Sequence, residues 1–197
     1  MNETGSVKFT CEHVVSETIA FSQLRQLNEC RRQLRELGLV GVNSAGIGFG
    51  NLSVREPGSG AFYITGSATG ELSELNSAHL ARVTAYDYDR NWLRCEGLTV
   101  ASSESLTHAA TYEGDTDVMA VIHCHSANLW KRLLGVVPTT RPEVQYGTPE
   151  MACEVLRLFA TTNVRERKLF VMAGHVDGIV SFGRNLDEAF RSLISGD

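Results

Sequence analysis

The sequence lacks the features that membrane, secreted and nucleic-acid-binding proteins need. No apolar run is long enough to cross a bilayer, and the first residues lack the basic region and apolar stretch of a signal peptide. Acidic side chains outnumber basic ones by 23 to 18, and no basic cluster stands out. We therefore expect a protein that binds neither a membrane nor a nucleic acid.

Paired cysteines are also missing. The chain has five cysteines, an odd number, and they are scattered without a CxxC pair. This pattern supports neither a zinc knuckle nor a framework of disulfides. Reduced and mostly buried thiols in a cytoplasmic protein are the expectation.

The 197 residues, 43% of them hydrophobic, are enough for one domain with an ordinary core. Residues 1–12 form a polar N-terminal segment for which we expect disorder, and residues 13–197 form the domain. A helix is predicted over residues 14–37, because apolar residues recur near the 3.6-residue period, and Gly38 is placed to end it as a left-handed cap. The arginines of this helix are interpreted as a solvated face. A further helix is predicted to start at residues 148–150, with Thr148 as its N-cap, Pro149 at its first position and an acid in its first turn.

The stretch with the clearest chemistry is residues 118–125, an apolar, β-favouring run that ends in His123-Cys124-His125. Alternate side chains of a strand share a face, so the two imidazoles point the same way and Cys124 points the opposite way. Two adjacent imidazoles could form two corners of a metal site. On their own they are as readily two ordinary histidines near the surface.

Two loops are rich in glycine and hydroxyl side chains. Residues 46–51 (Gly-Ile-Gly-Phe-Gly-Asn) precede a strand, and this order excludes a dinucleotide-binding fingerprint, which requires a helix to follow. Residues 66–70 (Gly-Ser-Ala-Thr-Gly) follow a predicted strand at 62–65. Backbone amides and hydroxyls in such loops could hold a phosphate, although ordinary turns have the same composition.

A third polar segment opens a helix near residue 104. Ser102 and Ser103 are predicted to cap it, and Glu104 lies in its first turn, where the helix dipole alone could explain a carboxylate. His108, four residues later, is interpreted as a packing residue or a support for nearby groups rather than a ligand.

His175 lies in a short turn between predicted strands at 168–172 and 179–182. With His123 and His125 it would make a site of three imidazoles with an open position, the arrangement of a catalytic rather than a structural zinc. Glu104 could complete that site at rest and act as the acid or base when substrate displaces it.

Taken together, these segments resemble the class II aldolase/adducin family over residues 32–193. The resemblance depends on six motifs in the family's order: Gly50-Asn51-Leu52-Ser53-Val54-Arg55, Ile64-Thr65 with Thr69-Gly70, Ser102-Ser103-Glu104 with His108, His123-Cys124-His125, Tyr146-Gly147-Thr148 and Gly174-His175. Each motif is weak alone, and their order makes the set specific.

The resemblance implies an α/β/α sandwich around a mainly antiparallel sheet, in a homotetramer with active sites near the subunit interfaces. It implies zinc, with Mn²⁺ or Co²⁺ as substitutes, held by His123, His125 and His175, with Glu104 as acid/base and as a candidate fourth ligand. Further residues match positions that hold a substrate phosphate: Gly50, Asn51, Thr69, Gly70, Ser102 and Ser103, with Thr65 and Gly66 as rivals for the second loop.

The activity implied is that of a lyase on a small, phosphorylated hydroxy-carbonyl compound, a sugar phosphate, through a metal-stabilised enediolate. Aldol cleavage is the default reaction. Sugar-phosphate aldolases of the family also use a tyrosine from the segment that corresponds to residues 126–145, which contains none here. Epimerase, dehydratase and decarboxylase activities therefore stay open, as do an adducin-like interaction module without activity and a zinc that only supports folding.

Overall fold

A computed structural model describes residues 9–17 and 20–196. Ten strands run through these residues: β1 (Thr10–Val15), β2 (Gly41–Val42), β3 (Gly48–Phe49), β4 (Asn51–Arg55), β5 (Phe62–Thr65), β6 (Leu80–Asp87), β7 (Trp92–Gly97), β8 (Ala120–His125), β9 (Leu169–Val171) and β10 (Gly178–Gly183). The α-helices of the same residues are α1 (Leu24–Glu36), α2 (Ser105–Gly114), α3 (Ala127–Leu133), α4 (Pro149–Thr161), α5 (Val164–Arg167) and α6 (Leu186–Ile194).

Eight of the strands form one sheet in the order β1-β7-β6-β5-β4-β8-β10-β9. Neighbours are antiparallel except β1 and β7, which run parallel. Strands β2 and β3 form a separate small ribbon beside the first glycine-rich loop. The predicted sheet, mainly antiparallel and central, is therefore confirmed.

Helices cover both faces of the sheet, because alternate strand residues are apolar on each side. Helices α2 and α4 pack on one face, where Val121 and Val180 belong to the same core as Leu106 and Val155. Helices α1 and α6 cover the other face, over a core that includes Ile122. This is the expected α/β/α arrangement of one mixed α/β domain.

None of the helices within the described ranges combines the length and apolar character that crossing a bilayer requires.

Several local predictions are confirmed. Gly38 ends α1 with a φ of +69°, and Thr148 caps α4 by accepting a hydrogen bond from the Met151 amide, with Pro149 at the first helical position.

The prediction of a helix from residue 14 is wrong at its start. Val14 and Val15 belong to β1, where they pair with β7, and α1 begins only at Leu24. The β-branched pair favours a strand, and a partner strand distant along the chain satisfies its backbone. Residues 10–12 of the predicted N-terminal segment lie in the same strand, whereas residues 1–8 are outside the described part of the chain.

The interpretation of the α1 arginines as a solvated face is wrong for Arg31. Its side chain is buried, with 4% of the residue exposed, and it donates to backbone carbonyls of residues 69–73. Arg32, the next residue, is exposed as predicted and pairs with Glu29 and Glu36.

Candidate metal centre

Strand β8 presents His123 and His125 on the same face of the sheet, with their ring centroids 4.9 Å apart. Cys124 points to the opposite face and is buried in the core under α1 and α6. The alternation predicted from the sequence is therefore confirmed. In the neighbouring strands Asn51 pairs with His123, and Gly178 pairs with His125.

The turn between β9 and β10 brings His175 to this pair. Its ring centroid lies 5.1 Å from that of His123 and 4.7 Å from that of His125. One donor atom from each histidine lies within 4.8 Å of the others. Nitrogens that share a tetrahedral ion lie about 3.3 Å apart, so small rotations of these side chains would bring them around one ion.

Two glycines make the turn compatible with this position. A Cβ on Gly174 would lie 1.7 Å from the Val144 carbonyl oxygen, and a Cβ on Gly178 would lie 3.0 Å from Cγ of His175. Only glycine lets the 142–144 backbone approach the turn so closely. The ring of Tyr146 then stacks on His175, with centroids 4.1 Å apart and planes at 21°.

The protonation states of the imidazoles suit a cation. Burial lowers the pKa of His123 well below its usual value, and the neighbouring His125 and His175 lower it further. Burial also lowers the pKa of His125 to about 4, against a smaller opposing effect of Asp177. Both rings are neutral at pH 7, the form in which imidazole binds metals.

An orphaned atom supports the same conclusion. Within the described part of the chain, Nε2 of His123 is buried and has no hydrogen-bond partner. Its Nδ1 lies 3.4 Å from the Asn51 side-chain amide. Buried imidazole nitrogens are normally satisfied, so the donor set fits a divalent cation.

Glu104 faces this cluster. It is 2% exposed, and its Oε1 lies 3.8 Å from Nδ1 of His175. Its Oε2 accepts a hydrogen bond of 2.8 Å from the hydroxyl of Thr107. The carboxylate therefore turns toward the histidines, and the helix dipole alone does not explain it.

The predicted cap of α2 is wrong in detail. Glu104 itself occupies the N-cap position, and its side chain makes no capping hydrogen bond to the helix. Ser102 contributes through its carbonyl, which accepts hydrogen bonds from the Ser105 amide and hydroxyl. Both Ser102 and Ser103 line the cleft.

The histidines and Glu104 lie in an open cleft of about 1030 Å³. The cleft walls also include most of the residues predicted to hold a phosphate: Gly50, Asn51, Gly66, Thr69, Gly70, Ser102 and Ser103. Thr65 does not line the cleft; it is buried, and its hydroxyl accepts from the Leu52 amide. The geometry thus favours Thr69 and Gly70 over Thr65 in the second loop.

Close backbone packing holds the two loops together. Gly50 has a φ of +75°, and a Cβ there would lie 2.5 Å from Cγ1 of Val40. A Cβ on Gly70 would lie 2.4 Å from the carbonyl oxygen of Gly41 and 2.9 Å from Cα of Gly48. A larger side chain at Gly70 would separate the second loop from the first, and one at Gly50 would displace the first loop from Val40.

Several residues that line the cleft, or that contact Glu104 as Thr107 does, are not recognisable as site residues from the sequence. Tyr146 is noted there only within the motif Tyr146-Gly147-Thr148 and the helix start that follows it, without a role at the site. Thr107 and Asp177 give no recognisable signal. His108 has the packing role expected of it: it is buried, and its Nδ1 lies 2.7 Å from the Ser53 hydroxyl.

One protein family matches most of the chain. The family described as Class II Aldolase and Adducin N-terminal domain matches residues 25–196. No curated protein sequence matches the chain significantly.

Among solved structures, L-fuculose 1-phosphate aldolase has a TM-score of 0.67 at 23% identity, over 89% of this chain and 82% of that one. The L-fuculose-1-phosphate aldolase of Thermus thermophilus has a TM-score of 0.62 at 20% identity, over 88% and 89%. A sugar-phosphate aldolase of Thermotoga maritima has a TM-score of 0.65 at 15% identity, over 88% and 89%. At identities this low, the TM-scores show a shared fold and nothing more.

Proposed function

The chain belongs to the class II aldolase and adducin family, and from that premise we propose that it is a zinc-dependent lyase. Its substrate is a small, phosphorylated hydroxy-carbonyl compound, and aldol cleavage is the default reaction. The observation that carries the proposal is the convergence of three buried imidazoles and one buried carboxylate on a single open cleft.

In this proposal His123, His125 and His175 hold the metal, and Glu104 is the fourth ligand at rest. Three neutral imidazoles favour zinc, and Mn²⁺ or Co²⁺ would be substitutes. When bound, a divalent ion supplies a Lewis acid that polarises a substrate carbonyl and stabilises the negative charge that develops on its oxygen.

The protein groups supply proton transfer and orientation. Thr107 donates to Oε2 of Glu104, and Oε1, which lies on the histidine side, is the oxygen that accepts or returns a proton. The cleft gives Glu104 little contact with water, because only 2% of the residue is exposed. Proton transfer at a fixed and nearly dry carboxylate suits removal of a proton next to a carbonyl.

The glycine-rich loops and the serines before α2 form the proposed phosphate subsite: Gly50, Asn51, Thr69, Gly70, Ser102 and Ser103. A phosphate held there would anchor the substrate at a distance from the reacting carbons. Binding energy from a group that does not react can then be used to orient the group that does.

The same site could serve an epimerase, a dehydratase or a decarboxylase, because each needs the same charge stabilisation beside a carbonyl. Residues 126–145 contain no tyrosine, and Tyr146, stacked on His175, is a tyrosine that the chain itself brings to the site. Analysis of the products from a set of phosphorylated ketoses and hydroxy acids would separate these reactions.

An adducin-like module without activity is less well supported, since buried polar clusters are costly to keep.

We further propose a homotetramer with the active site near a subunit interface. Val176, next to His175 on the cleft wall, is 69% exposed, and an apolar side chain so exposed beside a site suits coverage by a neighbouring subunit. Light scattering coupled to size-exclusion chromatography would measure the assembly, and a monomer at micromolar concentration would contradict it.

The test of the proposed function is a zinc titration combined with turnover by a Glu104→Ala variant. We expect one zinc per chain in both proteins, and a loss of turnover of about a hundredfold or more in the variant, the size typical of a lost acid/base group. The control is Glu113→Ala, which removes an exposed carboxylate at the far end of α2 and should change neither measurement. A wild-type protein that binds no zinc, or a Glu104→Ala variant with full turnover, would overturn the proposal.

A further inference from the structure

Helix α1 carries a polar stripe that the proposed chemistry does not use. Asn28, Arg31 and Arg35 recur at i, i+3 and i+7, so they share one face of the helix. Next to them, the apolar stripe of Leu27, Cys30 and Leu34 is buried in the core. All three polar side chains donate to the backbone of residues 69–75, the segment that begins as the second glycine-rich loop.

Arg31 makes most of these contacts. Its Nη2 donates to the carbonyl oxygens of Thr69 (2.8 Å) and Gly70 (3.3 Å), and its Nη1 donates to those of Leu72 (2.5 Å) and Ser73 (3.5 Å). One planar guanidinium thus determines the direction of four carbonyl groups within residues 69–73. No other side-chain type presents so many donors in one rigid plane.

Asn28 and Arg35 hold the two ends of the same segment. The Asn28 side chain donates to the Leu75 carbonyl at 2.7 Å and accepts from the Leu75 amide at 2.9 Å. Arg35 donates to the carbonyl of Gly70. The loop therefore has a defined shape that side chains of a neighbouring helix impose.

The two guanidinium charges beneath the loop are not neutralised by side chains. Within the described residues, neither Arg31 nor Arg35 has a carboxylate at ion-pair distance, and their acceptors are backbone carbonyls. Arg32, on a different face of α1, pairs with Glu29 and Glu36. Burial lowers the pKa of Arg31 to about 10, which leaves it charged at pH 7.

The direction of the carbonyls also determines the direction of the amides. In a trans peptide the C=O of one residue and the N–H of the next point in opposite directions. Because the carbonyls of Thr69 and Gly70 turn toward Arg31, the N–H groups of Gly70 and Glu71 turn away from α1. Both residues line the cleft, and neither amide donates a hydrogen bond to the backbone of the described part of the chain.

We propose that Arg31, assisted by Arg35, is a positioning residue that shapes and charges this loop to hold the phosphate group of the substrate. The inference rests on the proposed function, and adds to it a side chain outside the cleft that determines the preference for a phosphorylated substrate. The carboxylate of Glu71 also lines the cleft and opposes an anion, but it is exposed and screened by water, whereas Arg31 is buried.

The experiment measures binding of inorganic phosphate and of zinc by calorimetry to four proteins: the wild type and the variants Arg31→Met, Arg31→Lys and Arg32→Met. We expect phosphate affinity to fall at least about tenfold in Arg31→Met, because the charge and the carbonyl contacts are both lost. Arg31→Lys should recover part of the affinity, since lysine keeps the charge without the planar fork. Arg32→Met should bind phosphate as the wild type does.

Zinc binding is the readout that separates positioning from a general structural role. The side-chain hydrogen bonds of Arg31 go to the loop at residues 69–73 and not to the histidines, so zinc affinity should stay unchanged in all three variants. Equal loss of zinc and phosphate binding in Arg31→Met would overturn the inference in favour of a general structural role. If Arg31→Met does not fold, Arg35→Met, which removes one partly exposed guanidinium, should still weaken phosphate binding several-fold with zinc unchanged.

The failure of this inference can be distinguished from failure of the proposed function. Phosphate affinity that is equal in the wild type and Arg31→Met would overturn the role of Arg31 and leave the lyase proposal intact. A second outcome has three parts: the wild type binds zinc, Glu104→Ala abolishes turnover, and the wild type binds no phosphate. This outcome would overturn both the inference and the proposal of a phosphorylated substrate. The metal-dependent reaction would then stand with a substrate that carries no phosphate.

Discussion

Gly174 shows how one missing side chain positions a metal ligand. The carbonyl oxygens of Val144 and Pro142 lie where a Cβ would be, at 1.7 Å and 3.1 Å, so residues 142–144 lie directly on the turn that carries His175. Any side chain at residue 174 must separate the two segments. The position of His175 therefore depends on an amino acid that has no chemistry of its own.

We predict that Gly174→Ala destabilises the protein by about 1–3 kcal/mol, the usual cost of overpacking, and weakens zinc binding. Thermal unfolding and a zinc titration would measure the two effects. Gly60→Ala is the matched control, because a Cβ there meets nothing within 4 Å and its φ lies outside the left-handed region. Equal zinc affinity in both variants would show that the turn tolerates displacement.

Tyr146 supports His175 by stacking on its imidazole ring. We predict that Tyr146→Ala lowers zinc affinity about tenfold, the lower end of the cost of losing a group that orients a metal ligand, because His175 loses its stacking partner. Tyr146→Phe keeps the stacked ring and should bind zinc as the wild type does. Loss of zinc binding in Tyr146→Phe would instead assign the effect to the hydroxyl group.

At the scale of elements, α4 anchors the segment that covers Gly174. Glu154 of α4 is buried and accepts hydrogen bonds from the backbone amide and guanidinium of Arg141 and from the guanidinium of Arg157. Arg141 immediately precedes Pro142, whose carbonyl lies on Gly174. A buried carboxylate on a helix thus determines the position of a loop, and the loop determines the position of a histidine.

This arrangement predicts a pH dependence of stability. The Arg157 and Arg141 guanidiniums hold the pKa of Glu154 at about 2, below its unfolded value of about 4.3. A lowered pKa stabilises the folded state above the unfolded pKa, and this stabilisation disappears as the pH falls from about 5 toward 2. Glu154→Gln should therefore lower the free energy of unfolding by about 1.5–3 kcal/mol at pH 7, and by progressively less below pH 5.

Urea unfolding at several pH values would measure the difference between the wild type and Glu154→Gln. The exposed Glu150 of the same helix provides the control variant Glu150→Gln, for which only a small helix-dipole effect is expected. A difference between wild type and Glu154→Gln that grows on acidification would contradict a lowered pKa of Glu154 in the folded state.

The elements that the sequence predicted share a local cause. Thr148 and Pro149 start α4, Gly38 ends α1, and alternation in β8 places both of its histidines on one face. Each depends on the side chains of a few consecutive residues. The gathering of Glu104 and the histidines could be expected from the residue types and from the order of the family's motifs, but no local pattern relates residue 104 to residue 175.

The parts that the sequence did not predict have causes that lie far along the chain. Strand β1 depends on its parallel partner β7, which begins only at Trp92, and local periodicity near residue 14 favoured a helix instead. Arg31 resembles its exposed neighbours in the sequence, because its acceptors are carbonyl groups of the distant residues 69–73. Main-chain acceptors leave no signature in side-chain patterns.

At the scale of the whole molecule, the candidate metal centre lies several strands away from β1, the edge strand at the N-terminal end of the sheet. The proposed ligands lie on β8 and on the turn before β10, whereas β1 is an edge strand, with β7, β6, β5 and β4 between it and β8. The family match also begins only at residue 25. The edge strand should therefore contribute to stability without contributing to the site.

Deletion of residues 1–16 tests this separation, and we predict unchanged zinc binding in a less stable protein. The deletion removes β1 and the buried Phe9, and loss of a core phenylalanine alone costs about 3–5 kcal/mol. It also exposes the backbone edge of β7, so concentration-dependent association should appear in light scattering. Zinc titration at a temperature where the shortened chain is still folded would provide the decisive measurement. Lost zinc affinity there would mean that the sheet transmits the state of its edge across the intervening strands to the histidines.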